Sequence, residues 1–169
     1  MSYKVIDNFL PDNEFNRIKD IVMSTKIPWY FQSNINTGHS DKDNTCYFTH
    51  SLWNWGHFPD MISHHFIDFK FLCDRIELKS LIRMKLNCYP RTDKIEIHKE
   101  HTDYSYNHKG CILSFNTCDG ATIIFDENNK PIKIDSIENR ALFFDPSLIH
   151  SSTSCTNAKA RFNVNINYF

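Results

Sequence analysis

Glycine and alanine are scarce in this chain, four of each in 169 residues, but that shortage carries no mechanism of its own. Other absences exclude more. No apolar run approaches the roughly 18 residues that a membrane-crossing helix needs. The opening MSYKVIDNFLPDNEF has no basic head followed by an apolar stretch of the signal-peptide kind. A cytoplasmic protein with no membrane partner is expected. Neither sign of charge is in excess: 19 Lys and Arg stand against 20 Asp and Glu, a formal charge of -1. That balance gives no support to a phosphate-binding surface, so nucleic acid is not expected as a partner. The six cysteines (Cys46, Cys73, Cys88, Cys111, Cys118, Cys155) contain no C-x-x-C pair, which leaves a thiolate zinc site without support. A chain this long has core enough to do without disulfides, so reduced thiols are expected. No repeat, low-complexity tract or Pro/Gly/Ser linker divides it. One domain over 1–169 is expected, as a monomer or weak dimer.

What is present begins with 41% hydrophobic and 14% aromatic residues, a composition that excludes disorder. After a short strand at 3–9, Pro11-Asp12-Asn13-Glu14 opens a helix to about residue 24, with Phe15, Ile18, Ile21 and Val22 on one face. Strands are expected at 28–33 and 46–52 around a polar loop. Pro59 should open a second helix on which Ile62, Phe66, Phe69 and Leu72 share a face. From residue 81 onward the pattern shifts to short strands broken by turns: 81–89, 95–103, 111–116, 121–125, 131–134, 140–145, 148–151 and 160–169. The fold class is therefore mainly β with N-terminal helices, an α+β arrangement. Residues 1–79 supply two amphipathic helices and flanking strands, and 80–169 an eight-stranded barrel or double-sheet jelly roll.

Two strands carry an informative alternation. Arg83, Lys85, Asn87 and Tyr89 oppose Ile82, Met84, Leu86 and Cys88, and Arg161, Asn163, Asn165 and Asn167 oppose Phe162, Val164, Ile166 and Tyr168. With the apolar faces against the helices, the polar faces line an interior that is costly to bury dry and suits a polar ligand. An open sheet with its polar face in solvent fits the same pattern.

Nine histidines are present, and His101-Thr102-Asp103 is the informative group. At period two on a strand, one imidazole and one carboxylate project to a common point. His150, at the end of an apolar run, is the leading third ligand. Two imidazoles and a carboxylate make the facial triad used by non-haem iron(II) oxygenases. Arg161, on the polar face of the last strand, can bind a carboxylate bidentately. The other histidines are less well placed. His98 falls on the opposite face of an ideal strand unless a bulge intervenes. His64 and His65 sit in the second helix, and His39, His50, His57 and His108 have no spacing that pairs them. His98-Lys-Glu-His101 lacks the helical spacing of a zinc peptidase. The aromatics Trp29, Tyr30, Phe31, Trp53 and Trp55 read as core and support.

In these residues the chain resembles the 2-oxoglutarate and iron(II)-dependent dioxygenases, and within them the prolyl 4-hydroxylase-like branch. The resemblance is carried by Asn87-Cys-Tyr-Pro90, His101-Thr-Asp103, Arg140-Ala-Leu-Phe-Phe-Asp145, His150 and the closing Arg161-Phe-Asn-Val-Asn-Ile-Asn-Tyr-Phe169. It implies a double-stranded β-helix in which His101, Asp103 and His150 hold Fe(II) and Arg161 binds the far carboxylate of 2-oxoglutarate. Tyr89 adds a phenol hydrogen bond. Ser114 stands where related enzymes often carry a tyrosine on that carboxylate, and Asn163, on the same face as Arg161, could fill in; Asn87 is a further candidate contact to the cosubstrate.

The implied reaction consumes O2 and 2-oxoglutarate, releases succinate and CO2, and hydroxylates a C–H bond, with ascorbate as a possible reductant. Ile112, Leu142 and Phe144 are candidates for an apolar wall beside the metal. The substrate implied is a prolyl or other peptidyl residue, with a free amino acid or other small molecule as the alternative. Loops 33–44 and 104–110 are the candidates for selecting it. Two other classes remain at this point: a cupin-like metal protein or isomerase without 2-oxoglutarate, and a non-catalytic binding barrel.

Overall fold

The two alternating stretches pair with each other at the centre of the structure, a computed structural model that describes residues 3–33, 46–55 and 61–169. The chain runs through β1 (Lys4–Ile6), α1 (Asp12–Val22), β2 (Tyr30–Gln32), β3 (Tyr47–Asn54), β4 (Met61–Ile62), α2 (Phe66–Phe69) and α3 (Phe71–Arg75). It continues through β5 (Leu81–Pro90), β6 (Lys109–Ser114), β7 (Ala121–Phe125), β8 (Pro131–Asp135), β9 (Ala141–Phe144), β10 (His150–Ser152) and β11 (Ala160–Tyr168). The fold is mainly β. Its large sheet has the order β1-β9-β6-β11-β5-β3-β2, with β4 beside β3, and its small sheet the order β10-β7-β8.

Period-two alternation on β5 and β11 sends the two kinds of side chain to opposite faces, and each face finds its own partner. On the outer face, Met84, Leu86, Val164 and Ile166 join Phe15, Ile18 and Val22 of α1 and Phe69 and Leu72 of α2 and α3 in one buried cluster. The spacing 15, 18, 22 gives α1 a single apolar stripe, and Asp12 and Glu14 in its first turn suit the positive end of the helix dipole. On the inner face, Ile112 of β6 and Leu142 and Phe144 of β9 meet Ile124 of β7 in a second, smaller cluster. That contact lays the small sheet over one end of the large one. At the other end the inner face stays polar, and Asn87, Arg161, Asn163, Asn165 and Asn167 are all buried. The open-sheet alternative is excluded for these residues.

Three expectations need correction. Residues 61–62 form a short strand rather than helix, Ile62 is exposed, and the helical part of this region is two short pieces meeting at Lys70; Pro59 lies outside the described residues. Hydrophobic spacing alone could not tell one helix from a strand followed by two turns. Second, 95–103 is not a regular strand and is tied to its neighbours by isolated bridges only. Third, Tyr30, Phe31 and Trp55 are exposed, and only Trp29 and Trp53 pack against the core. No helix among the described residues is long and apolar enough to cross a membrane.

Candidate functional site

The irregularity in 95–103 builds the site. Ile97 bridges Thr153 and His101 bridges His150, so four steps on one strand face three on the other. The extra residue is a bulge, which reverses the facing of the residues after it. His98 and His101 both turn into the space between the sheets as a result.

His101 and His150 exchange backbone hydrogen bonds of 2.9 Å in each direction, and their rings lie 4.4 Å apart. With Asp103 they present one donor atom each within 4.8 Å of one another. Both rings have their Nδ1–H aimed at a backbone carbonyl two residues back: His101 at Lys99 O (3.3 Å) and His150 at Leu148 O (2.9 Å). The Nε2 lone pairs are left for an ion, with tautomer and orientation held by the chain itself. Burial first, then His150 nearby, pushes the His101 imidazole down to about 4. It is neutral at physiological pH and ready to ligate.

Asp103 is held from two directions. Its Oδ1 accepts from Arg83 (2.7 Å), and its Oδ2 from the amides of Asn165 (3.1 Å) and Asn167 (2.8 Å). Burial alone would raise the carboxyl, but Arg83, His150, Asn167 and Lys85 outweigh it and hold it well below the usual carboxylate range. Asn167 links further outward: its amide also reaches His108 Nε2 (3.1 Å), whose Nδ1–H donates to Tyr106 O (2.8 Å). His108 thus supports the site through Asn167, a role that spacing along the chain did not signal.

Arg161, 1% exposed, lies at the far end of the polar face, with its guanidinium 5.4 Å from the Tyr89 ring. It donates to Thr122 Oγ1 (2.9 Å) and Thr153 O (3.3 Å), while its Nε has no acceptor. Among the described residues no carboxylate meets it. A built Cβ on Gly120 would fall 2.5 Å from Ser154 O and 2.8 Å from Arg161 Cδ, so only glycine lets the arginine lie here. Tyr89 stacks on His98 at 5.2 Å, and His98 Nδ1 and Ser152 Oγ are hydrogen-bonded at 2.7 Å.

Asn87 donates to Asn163 (2.9 Å), and Ser114, buried, stands beside Asn163 in the register of β6 and β11. Asn87 Oδ1 and Asn165 Oδ1 have no donor. Lys85 completes the row. Burial first, then Arg83, pushes its ammonium down to about 7. Neither His98 nor Lys85 stands out from the sequence as a site residue, although the alternation of β5 puts Lys85 on the right face and a bulge is the condition that brings His98 inward. Loop 33–44, His39 and His57 include or are residues outside the described set. His50 and His65 lie elsewhere, ring to ring at 5.8 Å beside Ser63.

An arrangement of two imidazoles, one locked carboxylate and a buried guanidinium can hold a divalent ion and an anion together. A groove of about 580 Å³ opens beside it, lined by Ile97, His98, His101 and Ile149 among others.

No protein-family model matches the chain, and no curated protein sequence does. Solved structures do. A prolyl hydroxylase from Trichoplax adhaerens, determined in complex with a hypoxia-inducible-factor oxygen degradation domain peptide, superposes with a TM-score of 0.73 at 16% identity, covering 99% of this chain and 83% of that one. A 2OG-Fe(II) oxygenase family oxidoreductase from Burkholderia pseudomallei gives 0.72 at 11% identity over 98% of this chain and 84% of its own. A prolyl-4-hydroxylase from Pseudomonas putida gives 0.63 at 10% identity over 98% and 91%. The chain shares its fold with these prolyl hydroxylases and this 2OG-Fe(II) oxygenase.

Proposed function

We propose that this protein is a non-haem Fe(II)- and 2-oxoglutarate-dependent oxygenase that hydroxylates a C–H bond, with a prolyl or other peptidyl residue as the favoured target. One observation carries the reading. A His-Asp-His donor set with its tautomers already fixed shares a pocket with a buried arginine that meets no carboxylate among the described residues. The neutral contacts of Arg161 to Thr122 and Thr153 leave its charge, among the described residues, without a counterion, which an anionic cosubstrate supplies and a cupin-like protein that binds metal alone does not. Two imidazoles and a carboxylate held for an ion argue equally against an inert barrel.

Bound iron with 2-oxoglutarate and O2 supplies the oxidising chemistry, releasing succinate and CO2. The rest falls to the chain. His101, Asp103 and His150 occupy one side of an ion and leave the other positions to ligands. Arg83, Asn165 and Asn167 keep Asp103 ionised and aimed. Arg161 meets the far carboxylate of the cosubstrate, with Tyr89, Asn87, Asn163 and Ser114 as the remaining polar lining. Phe144, edge-on to His150 at 5.1 Å, belongs with Ile112, Leu142 and Ile124 to an apolar cluster that keeps water from that side. The peptide bound by the Trichoplax prolyl hydroxylase and the exposed Ile97 and Ile149 beside His101 favour a peptidyl target. The reading is tested by mass spectrometry of succinate formed from 2-oxoglutarate with iron and ascorbate, in the presence of proline-containing peptides and free amino acids. Iron-dependent succinate stimulated by one of them is expected; no succinate under any condition would overturn it.

A further inference from the structure

One charged side chain facing the candidate ion site has no part in the reading above. Lys85 lies on the pocket face of β5 and pairs across the ladder with Asn165, whose amide donates to Asp103. It is therefore level with the triad's carboxylate, four residues along β5 from Tyr89, the partner of Arg161. Its ammonium lies 5.6 Å from the Tyr47 ring.

Among the described residues no carboxylate forms an ion pair with Lys85. The carboxylate at its level is already engaged, Asp103 Oδ1 by Arg83 and Oδ2 by Asn165 and Asn167. Nor does Lys85 turn to the neutral acceptor beside it, since Asn165 Oδ1 has no donor. Arg83 and a protonated Lys85 thus share one anion, and a divalent ion on the triad would add two further positive charges. Cations gathered in a poorly hydrated space call for an anion that the chain does not provide.

We propose that Lys85 binds a carboxylate at the triad end of the pocket, as Arg161 does at the far end. The proposal rests on the oxygenase reading for the identity of metal and cosubstrate. Two carboxylates have the required chemistry: the near carboxylate of 2-oxoglutarate, or one carried by the substrate. In the second case the substrate is a free acid such as an amino acid, rather than an internal residue of a peptide.

Lys85→Met keeps the length of the side chain and removes its charge; Lys85→Gln serves if the methionine disturbs folding. Mn(II) replaces iron so that binding is read without turnover, and Mn(II) affinity and the thermal midpoint verify an intact site. The first arm is calorimetric titration with 2-oxoglutarate and with pyruvate, which keeps the 2-oxo acid and lacks the far carboxylate. The second arm compares free amino acids with their amides on Mn(II)-loaded protein, with and without 2-oxoglutarate.

Weakening of 2-oxoglutarate and pyruvate by roughly tenfold or more in the variant assigns Lys85 to the cosubstrate, as expected for a charge-assisted hydrogen bond. Unchanged 2-oxo acid binding with loss of a wild-type preference for acid over amide assigns it to the substrate. Lys85→Met indistinguishable from wild type in both arms overturns the proposal. Failure of wild type to bind 2-oxoglutarate overturns the oxygenase reading instead, and the contrast of acid with amide still decides the role of Lys85.

Discussion

Each residue of the candidate triad is useful only because its neighbours fix the proton it carries. The two Nδ1–H groups are held by backbone carbonyls, so Nε2 is the free atom on both rings, and Asp103 stays ionised because Arg83 and two asparagine amides outweigh its burial. Under this account His150→Ala abolishes tight Mn(II) or Fe(II) binding, measured by calorimetry, while His98→Ala retains it. The reverse result would exchange their roles. His98 leaves a different signature. Burial first, then Arg161 and His101, pushes it down to about 3 from an ordinary value of 6.5. As pH falls below about 6.5 the unfolded chain takes up this proton and the folded protein does not, so stability is full above that pH and declines toward the folded value. Thermal unfolding followed from about pH 8 to pH 4 should show the decline, and His98→Gln should flatten it; equal slopes would contradict the assignment.

Among the elements, the bulge between Ile97 and His101 decides which side chains face inward. Deleting Glu100 would restore an even register, three steps against three, and leave His101 opposite His150 on the same face. Metal binding should be retained and the far-ultraviolet circular dichroism stay that of a β protein, whereas loss of binding would mean that the extra residue does more than set which side chains face inward. This is also where sequence reading met its limit. The period-two alternation of β5 and β11 was legible because both strands are regular and bury each face against something different. An inserted residue in 95–103 leaves no trace in composition, so His98 could be weighed but not placed. The polar contacts across strands, Asn167 to His108 and Arg83 to Asp103, join residues 59 and 20 positions apart, and no local pattern encodes them.

At the scale of the whole molecule, two clusters divide the work. The larger, between the sheet and the helices, supplies stability on the side away from the site. Leu72→Ala should therefore cost about 2–5 kcal/mol in denaturant unfolding and leave metal affinity unchanged in the folded protein. A change in metal affinity would show that the outer core also sets the site's geometry. The helix stripe at 15, 18 and 22 and the strand-rich second half were both readable from spacing. The 61–75 region was not, because Ile62, Phe66, Phe69 and Leu72 satisfy helical spacing whether or not one helix contains them.

The central claim is that the polar interior binds an ion and a dicarboxylate together. Anaerobic calorimetry of 2-oxoglutarate binding to Fe(II)-loaded protein tests it most directly, with wild type compared to Arg161→Ala. Loss of a buried, charge-assisted contact of about 2–5 kcal/mol should weaken 2-oxoglutarate roughly thirtyfold or more while Fe(II) affinity stays unchanged. Absence of saturable 2-oxoglutarate binding to the iron-loaded wild type, or equal affinity in the variant, would contradict the account.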